Sequence, residues 1–182
     1  MKNARIPILG FAALSGTGKT TLLVQLLQIF SARGYRVGVV KHAHHSFDTD
    51  VPGKDSYELR KAGARQMLVG SSQRVALITE IDGEREPELD DMLRRLDQTA
   101  LDFILIEGFK TEAFPKIELY RPHLGHAPLH PDDPHIVAVA TDAPEEVKTH
   151  LPRLDLNAPQ AIAAFILEYL FPANARGRAN RT

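Results

Sequence analysis

Residues 14–22 read Leu14-Ser-Gly-Thr-Gly-Lys-Thr-Thr-Leu22. An apolar run, residues 6–14, leads into this stretch. A helical pattern, residues 19–32, leaves it, with Leu22, Leu23, Leu26, Leu27 and Phe30 on one face. A strand, a glycine turn and a helix with Lys-Thr in its first turn make a phosphate-binding loop. In such a loop successive backbone N–H groups point inward around an anion, and the helix N-terminus adds its dipole. Gly16 and Gly18 let the backbone approach phosphate oxygens with no Cβ in the way. Lys19 is placed to reach the β- and γ-phosphates and the Thr20 hydroxyl to ligate Mg²⁺. The general pattern has a glycine five residues before Gly18, where this chain has Ala13, and Gly10 is out of register.

Working outward, Gly34 is placed to end the helix, and residues 36–40 form a second strand. Strand, helix and strand in this order are a βαβ unit, which implies a parallel sheet with a right-handed crossover. The next stretch, Lys41-His-Ala-His-His-Ser-Phe-Asp-Thr-Asp50, packs three histidines and two aspartates into nine residues just after a strand. Open α/β sheets put their ligand-binding loops at that end. Three readings stay open: a loop contacting nucleotide or Mg²⁺, a zinc site, or a polar surface loop. Asp48 and Asp50 alternate, so an extended backbone turns both to one side, which suits a hold on metal-bound water and equally suits solvent.

Residues 55–62 have the pattern of a short helix, with Asp55 as N-cap and Gly63 as stop. Residues 66–69 and 74–79 read as a hairpin, an antiparallel edge on the parallel sheet. Residues 87–98 read as a helix with Leu89, Met92, Leu93 and Leu96 toward the core. Then Leu101-Asp-Phe-Ile-Leu-Ile-Glu-Gly-Phe109 has the form of a Walker B strand, whose terminal carboxylate, Glu107, faces the phosphate loop and holds Mg²⁺ or its water. Residues 116–121 alternate as a further strand, 122–135 form a Pro- and His-rich loop, and 135–142 are the last clear strand. Asp142 ends that strand. It either accepts from guanine N1 and the exocyclic amine or caps the turn that follows. Residues 157–171 form a final amphipathic helix, and the polar tail, residues 173–182, is expected to be disordered.

Composition narrows the function. One domain over residues 1–172 is expected, and 43% hydrophobic residues suffice for its core. A net charge of −1 gives no general pull on nucleic acid or anionic membrane, and the tail's three arginines are too few to change that. There is no cysteine, so no disulfide and no thiolate metal site. The apolar runs are too short to span a bilayer, and the polar start of the chain runs straight into the first strand, which reads as cytoplasmic.

The combination resembles one family. Phe11-Ala-Ala-Leu-Ser-Gly-Thr-Gly-Lys-Thr-Thr-Leu22, Val40-Lys-His-Ala-His-His45, Asp50-Val-Pro-Gly-Lys-Asp-Ser-Tyr-Glu-Leu-Arg-Lys-Ala-Gly-Ala64 and Ile106-Glu-Gly-Phe-Lys110 resemble the MobB family, adaptor proteins of molybdopterin-guanine dinucleotide biosynthesis, over about residues 6 to 170. The resemblance implies a P-loop NTPase-like three-layer α/β fold, mostly parallel, and a dimeric GTP-binding protein with weak GTPase activity. Such a protein assists the guanylyltransferase that attaches GMP to molybdopterin. The partners implied are that guanylyltransferase, molybdopterin and a second copy of the chain; the cofactors are GTP and Mg²⁺. Carried over, the phosphate loop is Ser15, Gly16, Thr17, Gly18, Lys19, Thr20 and Thr21, with Lys41 and His42 beside the phosphates. Thr20, Glu107 and Asp50 form the metal side, Lys19 and Glu107 serve catalysis, and Asp142 is the base-side candidate. A small-molecule kinase using residues 41–65 for its acceptor, or a module that holds nucleotide without turnover, are the alternatives.

Overall fold

The computed structural model describes residues 1–43, 47–83 and 86–172, so His44, His45 and the tail at 173–182 lie outside the described residues. Two compact units are present. The larger contains Met1–His42 and the described residues from Pro87 on; the smaller is Ala43–Glu86.

In the larger unit, β1 (Ile8–Ala12), β2 (Val37–Lys41), β5 (Phe103–Glu107), β6 (Lys116–Tyr120), β7 (Ile136–Thr141) and β8 (Arg153–Asp155) form one sheet in the order β2-β5-β1-β6-β7-β8, every pair parallel. A parallel sheet is covered on both faces, so its central strands are apolar throughout rather than alternating. Leu9, Phe11, Phe103 and Leu105 face a core shared with helices α1 (Lys19–Ala32) and α4 (Pro159–Leu170), through Leu22, Leu26, Phe30, Ile162 and Ile166. Ile104 and Ile106 face the opposite core, with Val40, Phe114 and, from helix α3 (Leu89–Arg94), Leu89 and Leu93. Phe30 and Phe103 meet edge to face at 5.1 Å, across the layer that fixes α1 on the sheet.

Strand β1 lies centrally. The chain leaves it for β2 on one side of the sheet and later passes from β5 to β6 on the other. The loops after β1 and β6 therefore diverge at the carboxyl ends of their strands. That divergence opens the crevice where doubly wound sheets bind ligands.

The smaller unit has helix α2 (Asp55–Lys61) and the antiparallel pair β3 (Gln66–Gly70) and β4 (Val75–Thr79). Its centre is Arg60, buried at the helix and bonded to Asp48 (2.6 Å), Asp50 (2.7 Å) and Glu80 (2.8 Å).

The fold class agrees with the sequence reading: a mostly parallel sheet with helices on both faces and an antiparallel hairpin. Four details differ. The hairpin pairs with itself as a separate two-stranded sheet and does not extend the large one. Helix α3 ends at Arg94, and a single tight turn, Gln98–Ala100, follows, its start capped by Asp97. Lys54 is the N-cap of α2, and Asp55 sits inside the first turn, where its charge favours the helix dipole. Strand β8 is a sixth strand that the sequence did not announce; Arg153-Leu154-Asp155 is too short to display a period.

Candidate functional site

The crevice at the carboxyl end of β1 is occupied by the phosphate loop itself. Gly16 and Gly18 have φ of 82° and 90°, the left-handed region in which a side chain is strained. Gly18 is the N-cap of α1, with no side-chain capping bond, and the first turn of α1 carries no acidic residue. Leu22 N–H is bonded to Gly18 O (3.0 Å), so helix geometry leaves the amides of residues 19–21 without intrahelical partners. An anion fits such an end on both counts, dipole and unpaired donors. Ser15, Gly16, Gly18, Thr20 and Thr21 are exposed and Lys19 is half-buried. Thr17 is buried, and its hydroxyl donates to Leu14 O (3.0 Å), closing the loop on itself. Ala13 packs against the core on the α1 side, so the methyl absent from the general motif has apolar contacts here.

Glu107 stands at the end of β5, in register with Phe11 of β1 and Lys41 of β2. The three strand ends bring Lys41, Glu107 and the approach to the phosphate loop side by side. Lys41 Nζ lies 3.2 Å from Glu107 Oε1, with the lysine side chain 54% exposed and the glutamate 12%. His42 N–H donates to Glu107 O (2.8 Å), extending the ladder by one rung. Immediately after Glu107 the backbone turns through two consecutive positive φ values, Gly108 (93°) and Phe109 (53°). A non-glycine residue at such a φ is costly and persists only where its surroundings enforce it. Here the Phe109 ring is buried and stacks on His42 at 4.8 Å. A Cβ on Gly108 would stand 2.7 Å from His42 Cβ, so the close approach of His42 requires glycine.

The crevice between β1 and β6 has a small pocket lined by Leu14, Thr17, Glu118, Tyr120, Arg121 and Leu124, among others. Arg121, one residue past β6, donates from Nε to Thr17 O (2.9 Å) and pairs through Nη1 with Asp142 Oδ2. Asp142 does not cap the turn Pro144–Glu146, which has no side-chain cap; the Thr141 hydroxyl instead accepts from Ala143 N–H (3.1 Å). His123 Nδ1 lies 3.7 Å from Asp142 Oδ2, and Asp142 Oδ1 is buried with no hydrogen-bond partner among the described residues.

Asp50 lies in the smaller unit, with both carboxylate oxygens on Arg60 (2.7 and 3.4 Å). Hydrogen bonds from Arg60 hold its carboxyl below the usual carboxylate range. Among the described residues no group of three or more His, Cys, Asp or Glu side chains is arranged to hold a metal ion. A Mg²⁺ ion held by one hydroxyl, phosphate oxygens and water needs no such group.

Two features of the site were not readable in advance. Arg121 belongs to no motif; only its place just past an alternating strand pointed to the right end of the sheet. The Pro- and His-rich loop is also anchored more firmly than its composition suggests. Buried Glu118 accepts from Leu129 N–H (2.6 Å) and His130 N–H (2.9 Å) and meets His130 Nδ1 (2.8 Å). Buried Lys116 bonds to Lys110 O, Glu112 O and Asp133 (2.7 Å). Burial alone would raise the Asp133 carboxyl, but the bonds from Lys116 and His135 outweigh it and hold it low.

The family model of molybdopterin guanine dinucleotide synthesis protein B, MobB, matches residues 8–142, from β1 to Asp142. The molybdopterin-guanine dinucleotide biosynthesis adapter protein of Escherichia coli (strain K12) is 50% identical over 170 residues, covering 93% of this chain and 96% of that protein. The protein of the same name from Haemophilus influenzae is 41% identical, over 92% of each. The crystal structure of Bacillus subtilis MobB superposes with a TM-score of 0.71 at 26% identity, covering 91% of this chain and 98% of that one. A match that spans the phosphate loop, the Glu107 strand and the hairpin unit in one run places the chain in a family: it belongs to MobB.

Proposed function

We propose that the chain is an adapter in molybdopterin-guanine dinucleotide biosynthesis and that it works by holding GTP with Mg²⁺. The observation that carries this reading is the uncapped N-terminus of α1 behind Gly16 and Gly18, with Glu107 on the neighbouring strand. Backbone amides from Ser15 to Thr21 and the Lys19 ammonium hold the phosphates. Thr20 and Glu107 hold the metal side, and Lys41 and His42 stand beside it. Bound Mg²⁺ supplies neutralisation of the phosphate oxygens. Asp142, whose carboxylate stands beside Arg121 at the end of β7, is the residue that reads the guanine edge.

Hydrolysis is slow on this reading. The partner is the guanylyltransferase that uses the nucleotide-bound form, with molybdopterin as the acceptor it serves. The adapter acts in the cytoplasm; no helix of the described residues is long and apolar enough to cross a membrane. It acts as a homodimer. Leu68, Val75 and Leu77 expose more than half of their surface on a two-stranded hairpin, and such a hairpin is marginal without a partner to cover it.

Asp142→Asn tests the base assignment. The expected result is weaker GTP binding with a smaller change for ATP, read by calorimetry. Equal losses for both nucleotides would remove Asp142 as a reader of guanine.

A further inference from the structure

The orientation of one peptide unit is what makes Arg121 more than a surface cation. The Thr17–Gly18 peptide is trans, so its C=O and its N–H point in opposite directions. Arg121 Nε takes the carbonyl end at 2.9 Å. The Gly18 N–H must then point away from Arg121, toward the other side of the loop. Gly18 has φ of 90° and no Cβ, so nothing in its own side chain fixes that plane. Arg121 is the side chain that holds that plane from its carbonyl end. The guanidinium is itself held: Nη1 pairs with Asp142 on β7, and Nη2 lies 3.7 Å from where a Gly18 Cβ would be. Its planar fork suits two acceptors set at a fixed angle, which a lysine ammonium serves less well. Its side chain is only 26% exposed, so both bonds are partly shielded from water.

From this geometry we infer that Arg121 is a positioning residue for the phosphate loop: it pins the Thr17 carbonyl so that the Gly18 amide is aimed at the phosphates before nucleotide arrives. Asp142 orients Arg121 through Oδ2 and so acts on the loop at one remove, in addition to any contact it makes with a base. The inference rests on the proposed function, since it takes the loop to be a triphosphate site. Its consequence differs from that of base recognition. Losing Arg121 weakens every ligand that carries the phosphates, whatever its base. Losing Asp142 adds a guanine-dependent part.

The test is calorimetric titration of the full chain, with Mg²⁺, using GTP and inorganic tripolyphosphate as probes. Arg121→Gln is expected to weaken both by the same factor, roughly ten- to a hundredfold, the range of a lost charge-assisted hydrogen bond. Arg121→Lys, which reaches one acceptor but not both, falls between wild type and Arg121→Gln. It also provides the reading if Arg121→Gln does not fold. Asp142→Asn weakens tripolyphosphate as well as GTP, and GTP by the larger factor. The ¹⁵N–¹H resonance of Gly18 in the ligand-free protein shifts in Arg121→Gln, reporting loss of the bond on its own peptide, and the melting temperature holds while both probes weaken equally, a combination that a purely structural role would not produce. Unchanged tripolyphosphate affinity in both Arg121 variants overturns the inference, as does a loss confined to GTP. If the wild type binds neither probe, the proposed function fails first and the inference falls with it; if the wild type binds both and only the Arg121 result is null, the proposed function stands alone.

Discussion

Glu107 and Lys41 meet at 3.2 Å where β5 and β2 end, and the exposure of the lysine limits what that pair contributes to the fold. Exposed pairs of this kind are worth about 0–1 kcal/mol. Glu107→Gln should therefore leave the melting temperature within a few degrees of wild type while lowering the dependence of triphosphate affinity on Mg²⁺, measured by titration with the metal and with a chelator. A full Mg²⁺ response in that variant would take Glu107 off the metal. Gly108 is the opposite case, a residue held by sterics. Its φ of 93° and the His42 Cβ at 2.7 Å leave no room for a methyl, so Gly108→Ala should cost on the order of 1–3 kcal/mol in urea denaturation. The place of Glu107 at the end of an apolar strand beside β1 is legible because the phosphate loop is read first; alone, a carboxylate and a glycine closing such a strand more often mark a plain turn. The left-handed Phe109 and the bridging Arg121 are not legible. Each takes its role from a partner distant in sequence, His42 and Asp142, and no local period records such a pairing.

Among the elements, β1, α1, β2 and β5 announce themselves, since glycine punctuation and apolar runs report local backbone and burial together. Strand β8 and the separateness of the hairpin do not. The first has three residues, and the second is decided by what β3 and β4 fail to pair with, which alternation within each strand cannot express. Strand β6 carries the less visible structure. Its Lys116 and Glu118 are buried, against the usual preference of both residue types, and each is matched by a group in the loop at 122–135. Removing Glu118 leaves the amides of Leu129 and His130 and the His130 ring without their acceptor. Glu118→Ala should thus destabilise the larger unit by about 1–3 kcal/mol for each buried donor left unsatisfied, whereas a surface glutamate such as Glu145 should cost nearly nothing on the same denaturation assay. For the hairpin, Leu77→Lys puts a charge on the exposed apolar strip. If the proposed homodimer uses this strip, sedimentation should show a shift toward monomer with the proposed GTP binding retained, and an unchanged mass would remove the strip from the proposed interface.

Across the whole molecule, the two units answer to different forces. The larger one is an apolar sandwich, while the smaller is centred on Arg60 and its carboxylates. The Asp50 carboxyl is held low by Arg60, so it binds a proton more readily in the unfolded chain than in the folded one. Its contribution is present above the ordinary carboxylate pKa of about 4 and is lost as pH falls through the lowered folded value. Nuclear magnetic resonance signals of the smaller unit should accordingly report lower stability as pH drops below about 4. Arg60→Met should flatten that acid limb, and an acid limb as steep as in wild type would take the pair out of the unit's stability. In the larger unit the phosphate loop is proposed to grip a guanine nucleotide. The most direct measurement is calorimetry of GTP and ATP side by side in Mg²⁺, on wild type and on Lys19→Ala. GTP is expected to bind more tightly than ATP, and Lys19→Ala is expected to lose tight binding of both. ATP bound as well as GTP, or a Lys19→Ala protein with wild-type affinity, would contradict the proposal.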